Sequence, residues 1–158
     1  MGDSLRLTKE QLDIRKLNRT DYMKWPISFL KILAKSIGKP YKINCYDLSA
    51  FDCYTLVYYL YQFVGYNLPK ENLAAYTLKQ YVKQVQNQKQ FFYSVSFDDR
   101  QPFDLVVFES AKNVNAHIGM VLDIYHFIHT TEEKNVIIES FDGNYESADI
   151  RKIYRWNL

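Results

Sequence analysis

The chain has 158 residues, 47% hydrophobic and 16% aromatic, with 20 basic side chains against 18 acidic ones. That is enough for one substantial core and a single domain over residues 1–158, while a net charge of +2 gives little reason to expect nucleic acid as a partner. Two cysteines, Cys45 and Cys53, cannot make a disulfide framework, and they suit a reducing compartment.

The opening stretch, MGDSLRLTKEQLDIRKLNR, is charged throughout and holds no apolar run, so neither a secretory leader nor membrane insertion is expected. The expectation is a protein made in the cytoplasm that reaches any target at the cell envelope by another route. Helical spacing over Pro26–Ile37 aligns Ile27, Leu30, Ala34 and Ile37, with Gly38 and Pro40 as the stop. A loop from Lys39 to Asp52 leads to a second helix, Cys53–Val64, with Cys53, Leu56, Val57, Leu60 and Val64 on one stripe. After Gly65 and the turn-like NLPKEN, a third helix is predicted over Asn72–Gln88.

The period then changes. Asp104–Phe108, His117–Leu122, His126–Thr130, Asn135–Ser140 and Lys152–Trp156 are short, β-branched or aromatic, and separated by polar breaks. Helices followed by strands make an α+β fold. The charged turn Glu132–Lys134 reads as a plain loop.

Three residues carry the chemistry. Cys53 opens a helix, where the macrodipole and a neighbouring imidazolium lower a thiol pKa from its usual value near 8.5; as a small hydrophobe, it is equally at home in a core. Strand alternation puts His117, Gly119 and Val121 on one face. His129, twelve positions on, falls beside His117 if a hairpin is centred near Asp123, although that turn lacks glycine. Zinc is the competing use of these side chains, with His126 as a further ligand, but His126 and His129 alternate to opposite faces and no second cysteine stands at ligand spacing from Cys53. Neither a metal nor a cofactor is expected.

The order of these landmarks resembles the NlpC and p-sixty superfamily of cell-wall cysteine peptidases. The matching pieces are IGKPYKI, FDCYTLV, QPFDLVVFE and AHIGMVLDIYHFIH, from about Leu30 to Glu139. The resemblance implies a minimal papain-like fold, with N-terminal helices packed on an antiparallel sheet of about five strands. It implies Cys53 as nucleophile, His117 as general base and then acid, and His129 as the orienting third member. Tyr41 would help the oxyanion, and Asp52 would shape the site or meet a substrate amine, although capping a helix is an equal use for it.

The implied activity is hydrolysis of an amide bond in peptidoglycan stem peptides through an acyl-enzyme. A phage tail, an effector-delivery apparatus or an immunity protein are the partners such an enzyme would have. Tyr54 and Thr55 stand where the family has serine and glycine, Asn44 and Cys45 replace paired glycines, and Phe103 stands where a glycine precedes the strand aspartate Asp104. A bulkier groove is expected from these changes. Two alternatives stay open: acyl transfer or deamidation by the same triad, and a non-catalytic module that keeps the fold.

Overall fold

The computed structural model describes Trp25, residues 27–63, Leu68 and residues 92–109, 117–142 and 150–156. Two helices, α1 (Ile27–Ser36) and α2 (Cys53–Phe63), precede six strands: β1 (Phe92–Val95), β2 (Leu105–Glu109), β3 (His117–Val121), β4 (His126–Thr131), β5 (Asn135–Ser140) and β6 (Ile150–Trp156). The expected helix Asn72–Gln88 lies outside the described residues. All six strands pair antiparallel in the order β1-β6-β2-β3-β4-β5. The strand that sequence reading missed is β1, a four-residue strand that among the described residues pairs with β6 alone and is too short to display a period.

The helices pack on one face of the sheet, α2 against β3 and β4 and α1 against α2. Helix α2 is central: Cys53 to Tyr58, Leu60 and Tyr61 are all buried, the all-round burial of a helix enclosed by its neighbours. Helix α1 turns in a face shifted from the predicted one: Ile37 is buried and Leu30 and Ala34 pack against the core, but Ile27 does not. Its buried line is Phe29, Ile32, Leu33 and Ser36, while Ile27 is exposed. Phe29 decides the rotation, because its ring meets both Trp25 and Phe103 edge to face.

Strand alternation divides the apolar residues between two clusters. Leu105, Val107, Ile118, Met120, Ile128 and Val136 join the helices, whereas Val106, Phe108, Val121, Phe127, Phe141 and Ile153 pack on the opposite face. The exit from α1 is tied to the sheet as well. Gly38, at φ 81°, donates to the Val136 carbonyl at 2.8 Å, and Val136 donates back to Lys39 at 3.1 Å, so the terminator glycine also fixes where the following loop starts.

Two departures from the family pattern now have a conformational reading. Phe103 has φ 73° and Asn44 has φ 57°, the left-handed region that glycine enters freely. Asparagine tolerates it, whereas for phenylalanine it costs about 1–2 kcal/mol. Aromatic contacts of Phe103 with Trp25 and Phe29, each worth roughly 0.5–1.5 kcal/mol, offset that strain. The Tyr61 hydroxyl also donates to the Phe103 carbonyl at 2.7 Å.

The β3–β4 hairpin pairs Met120 with Ile128 and Val121 with Phe127. Its centre is therefore Ile124, one residue beyond the predicted Asp123. Asp123 holds the turn in place of a glycine: its buried Oδ1 accepts from the Tyr125 and His126 amides at 2.7 and 2.8 Å and contacts His126 Nδ1 at 3.0 Å. Asp123→Ala orphans both amides, and we expect a loss of about 1–3 kcal/mol in stability, measured as a lowered urea midpoint at unchanged m-value.

Candidate active site

The site begins at the start of α2. Asp52 precedes the helix and is fully buried; its Oδ1 accepts from the amides of Tyr54 and Thr55 at 2.9 and 2.7 Å. Thr55 Oγ1 in turn accepts from the Asp52 amide at 2.9 Å, a reciprocal capping box. Asp52 Oδ2 accepts from the Asn44 amide at 2.7 Å, which pins the loop before the helix. In this structure Asp52 shapes the site as a cap; the expected encounter with a substrate amine finds no exposed oxygen.

Cys53 is the next residue, so this cap sets the position of the thiol. Tyr54 and Thr55 do not crowd a groove as expected. Both are fully buried, Thr55 in the capping box and Tyr54 in the core against Tyr58.

The sulfur meets the sheet where a ladder stops. Pairing between β3 and β4 ends at Met120 and Ile128. The Leu122 amide points towards β4, donating to His126 O at 2.9 Å, and strand alternation aims the Ile118 amide the same way. Beyond the last pair, the Ile118 amide lies near enough to the Cys53 sulfur to lower the thiol pKa, as do the amides of Cys53 itself and Tyr54. The thiol therefore lies near the backbone of Ile118, the residue that follows His117 in β3.

His117 and His129 come together at this end of the sheet. The hairpin register sets Gly119, not His117, opposite His129, so the two imidazoles meet diagonally. His117 Nε2 lies 2.6 Å from His129 Nδ1. Gly119 makes room for this: a Cβ there would stand 2.7 Å from the Ile128 carbonyl oxygen and 3.2 Å from His129 Cβ. Phe108 stacks on His117, and Phe127 lies 4.9 Å from His129, ring centre to ring centre.

Behind His129 stands a residue that sequence reading did not select. Glu139 Oε2 is 2.9 Å from His129 Nε2, and Glu139 Oε1 accepts from Lys134 Nζ at 2.7 Å. Alternation places Glu139 on the histidine face only once the β4–β5 register, His129 with Ile137, is known. Lys134 comes from the charged turn that read as a plain loop.

Burial dominates the electrostatics. It pushes the Cys53 thiol up to about 12, assisted by the Asp52 charge and opposed by the three amides. It pushes His117 down to about 3, assisted by His129 and opposed by Glu139. Both shifts favour the uncharged forms, a neutral thiol at Cys53 and a neutral imidazole at His117. Tyr41 is raised to about 12 by burial and then by the nearby charges of Cys53, Asp52 and Glu132. It is held by a bridge to Phe51, just before the cap.

His126 is held by Asp123, away from the other two histidines. Among the described residues no three of His, Cys, Asp and Glu are grouped as metal ligands would be.

A family model described as the NlpC/P60 family matches residues 38–155. No curated protein matches the chain. Among solved structures, one similar to a lipoprotein of the NLP/P60 family from Staphylococcus aureus subsp. aureus Mu50 superposes with a TM-score of 0.56 at 18% identity, over 85% of this chain and 41% of that one. The chain thus spans well under half the length of that protein. The NlpC/p60 domain of the peptidoglycan hydrolase SagA superposes with a TM-score of 0.52 at 21% identity, over 80% of this chain and 96% of that one. These likenesses establish the fold, two helices against a six-stranded antiparallel sheet in the papain-like manner.

Two measurements test this geometry. Gly119→Ala forces a Cβ against main chain, and we expect a loss of about 1–3 kcal/mol in a urea titration. Acid should destabilise the protein through His117. The unfolded chain takes up a proton near pH 6.5, which the folded chain refuses until about pH 3, so stability falls as pH drops through that window. The drop in melting temperature from about pH 7 to about pH 4.5 should be smaller for His117→Gln than for the wild type.

Proposed function

Because the chain belongs to the NlpC/P60 family, we propose that it is a cysteine hydrolase of the bacterial cell wall, cleaving an amide bond in peptidoglycan stem peptides with Cys53, His117 and His129. The observation that carries this reading is the 2.6 Å contact between the two imidazoles beside the amide that lies near the Cys53 sulfur. The peptidoglycan hydrolase among the structural neighbours supports the substrate class.

The chemistry follows from the hydrogen bonds. His117 Nε2 is engaged by His129, so in this reading Nδ1 is the nitrogen that serves the thiol. Nδ1 takes the Cys53 proton as sulfur attacks the carbonyl carbon, and the carbonyl π electrons move to oxygen. Of the amides at the helix start, Asp52 occupies those of Tyr54 and Thr55; the Cys53 amide is the one it leaves for the oxyanion. One such donor is typically worth about 2.7–4 kcal/mol. Tyr41, kept protonated by its surroundings, is a second donor.

Collapse of the tetrahedral intermediate breaks the C–N bond, and His117 returns the proton to the departing amine. Water, deprotonated by His117, then attacks the thioester and releases the carboxylate product and the thiol. His129 orients His117 and shares the charge it gains. Both shifts favour neutral partners, so the proton moves with substrate bound, when thiolate and imidazolium form together and attract each other.

Tyr54 is buried, so it does not line a cleft that would favour acyl transfer or deamidation on a different substrate. Purified sacculi test the hydrolase reading: muropeptide release should fall at least ~10³-fold in Cys53→Ala and in His117→Ala. Unchanged release in both variants would refute it.

A further inference from the structure

Glu139 and Lys134 have no part in the three-residue scheme, yet they continue it. The contacts form a chain: His117 Nε2 to His129 Nδ1 at 2.6 Å, His129 Nε2 to Glu139 Oε2 at 2.9 Å, and Lys134 Nζ to Glu139 Oε1 at 2.7 Å. We propose that Glu139 is a positioning residue whose carboxylate fixes the tautomers of both imidazoles, so that His117 presents a bare Nδ1 to Cys53. This rests on the hydrolase reading for its catalytic consequence, though not for its geometry.

The argument is one of donors and acceptors. An ionised carboxylate only accepts hydrogen bonds, and the Lys134 ammonium at its other oxygen favours the ionised form. His129 must then carry its proton on Nε2, and a neutral His129 has a bare Nδ1. The contact with His117 needs a single proton, which has to come from His117 Nε2. A neutral His117 with its proton there has Nδ1 free to accept from the thiol.

Without the carboxylate the opposite polarity is equally available. His129 would donate from Nδ1 to His117 Nε2, and His117 would turn an N–H towards the sulfur. Such a ring cannot take the thiol proton. The same outward charge supports the imidazolium once it forms, since Glu139 already raises the His117 pKa against the pull of burial.

The test combines nitrogen NMR with kinetics. In the wild type labelled with ¹⁵N-histidine, at about pH 7, long-range correlation spectra should show His117 and His129 both neutral and both protonated on Nε2. Glu139→Gln, whose amide both donates and accepts, should lose that uniform assignment. On a soluble stem-peptide fragment its kcat should fall ~10–100-fold at unchanged KM.

A wild-type His117 protonated on Nδ1 would overturn the proposal whether or not Glu139→Gln folds. So would wild-type kcat in Glu139→Gln when Cys53→Ala is inactive. A wild type inactive on sacculi, but with both rings protonated on Nε2 and scrambled in Glu139→Gln, would fault the hydrolase reading and uphold the positioning role.

Discussion

The parting of β3 from β4 beyond Met120 and Ile128 is the constraint on which the site depends. A continuous ladder would bury the Ile118 amide between two backbones; beyond the last pair it lies near the Cys53 sulfur and lowers the thiol pKa. In the same span Gly119 lets His129 lie close enough for its ring to reach His117 diagonally. Helix α2, which carries Cys53, packs on β3, the strand that carries His117.

Around that point, polar groups are arranged to hold side chains in place. Asp52 spends its carboxylate on three amides, two in α2 and one at Asn44, which locks the helix start and the preceding loop together. Asp123 does the same for the hairpin that sets the histidine register. Glu139 closes the far side of His129. Three carboxylates outside the reacting pair thus fix the geometry, while Phe108 and Phe127 enclose the rings in an apolar wall.

That wall has an electrostatic consequence. In a site so poorly solvated, neither a thiolate nor an imidazolium is stable by itself. A charged pair is favoured only when both charges form together with a developing oxyanion and its donors nearby. Such a thiol stays protonated at rest.

Strand and helix periods were legible from residue order alone, because burial on one face imprints a spacing of two or near four on the chain. Cys53 at a helix start, His117 on a strand and His129 on the same face could be read that way, as could the α+β class. Position along the polymer could not say which face of α1 turns inward, since Ile27 and Phe29 both satisfy helical spacing and only the Trp25–Phe103 cluster chooses between them. Nor could it find Tyr54 in the core, a hairpin centred on Ile124, or Glu139 behind His129. Each of these is settled by register and packing between segments distant in sequence, where a shift of one residue changes every neighbour, and such contacts exist only once the sheet has formed.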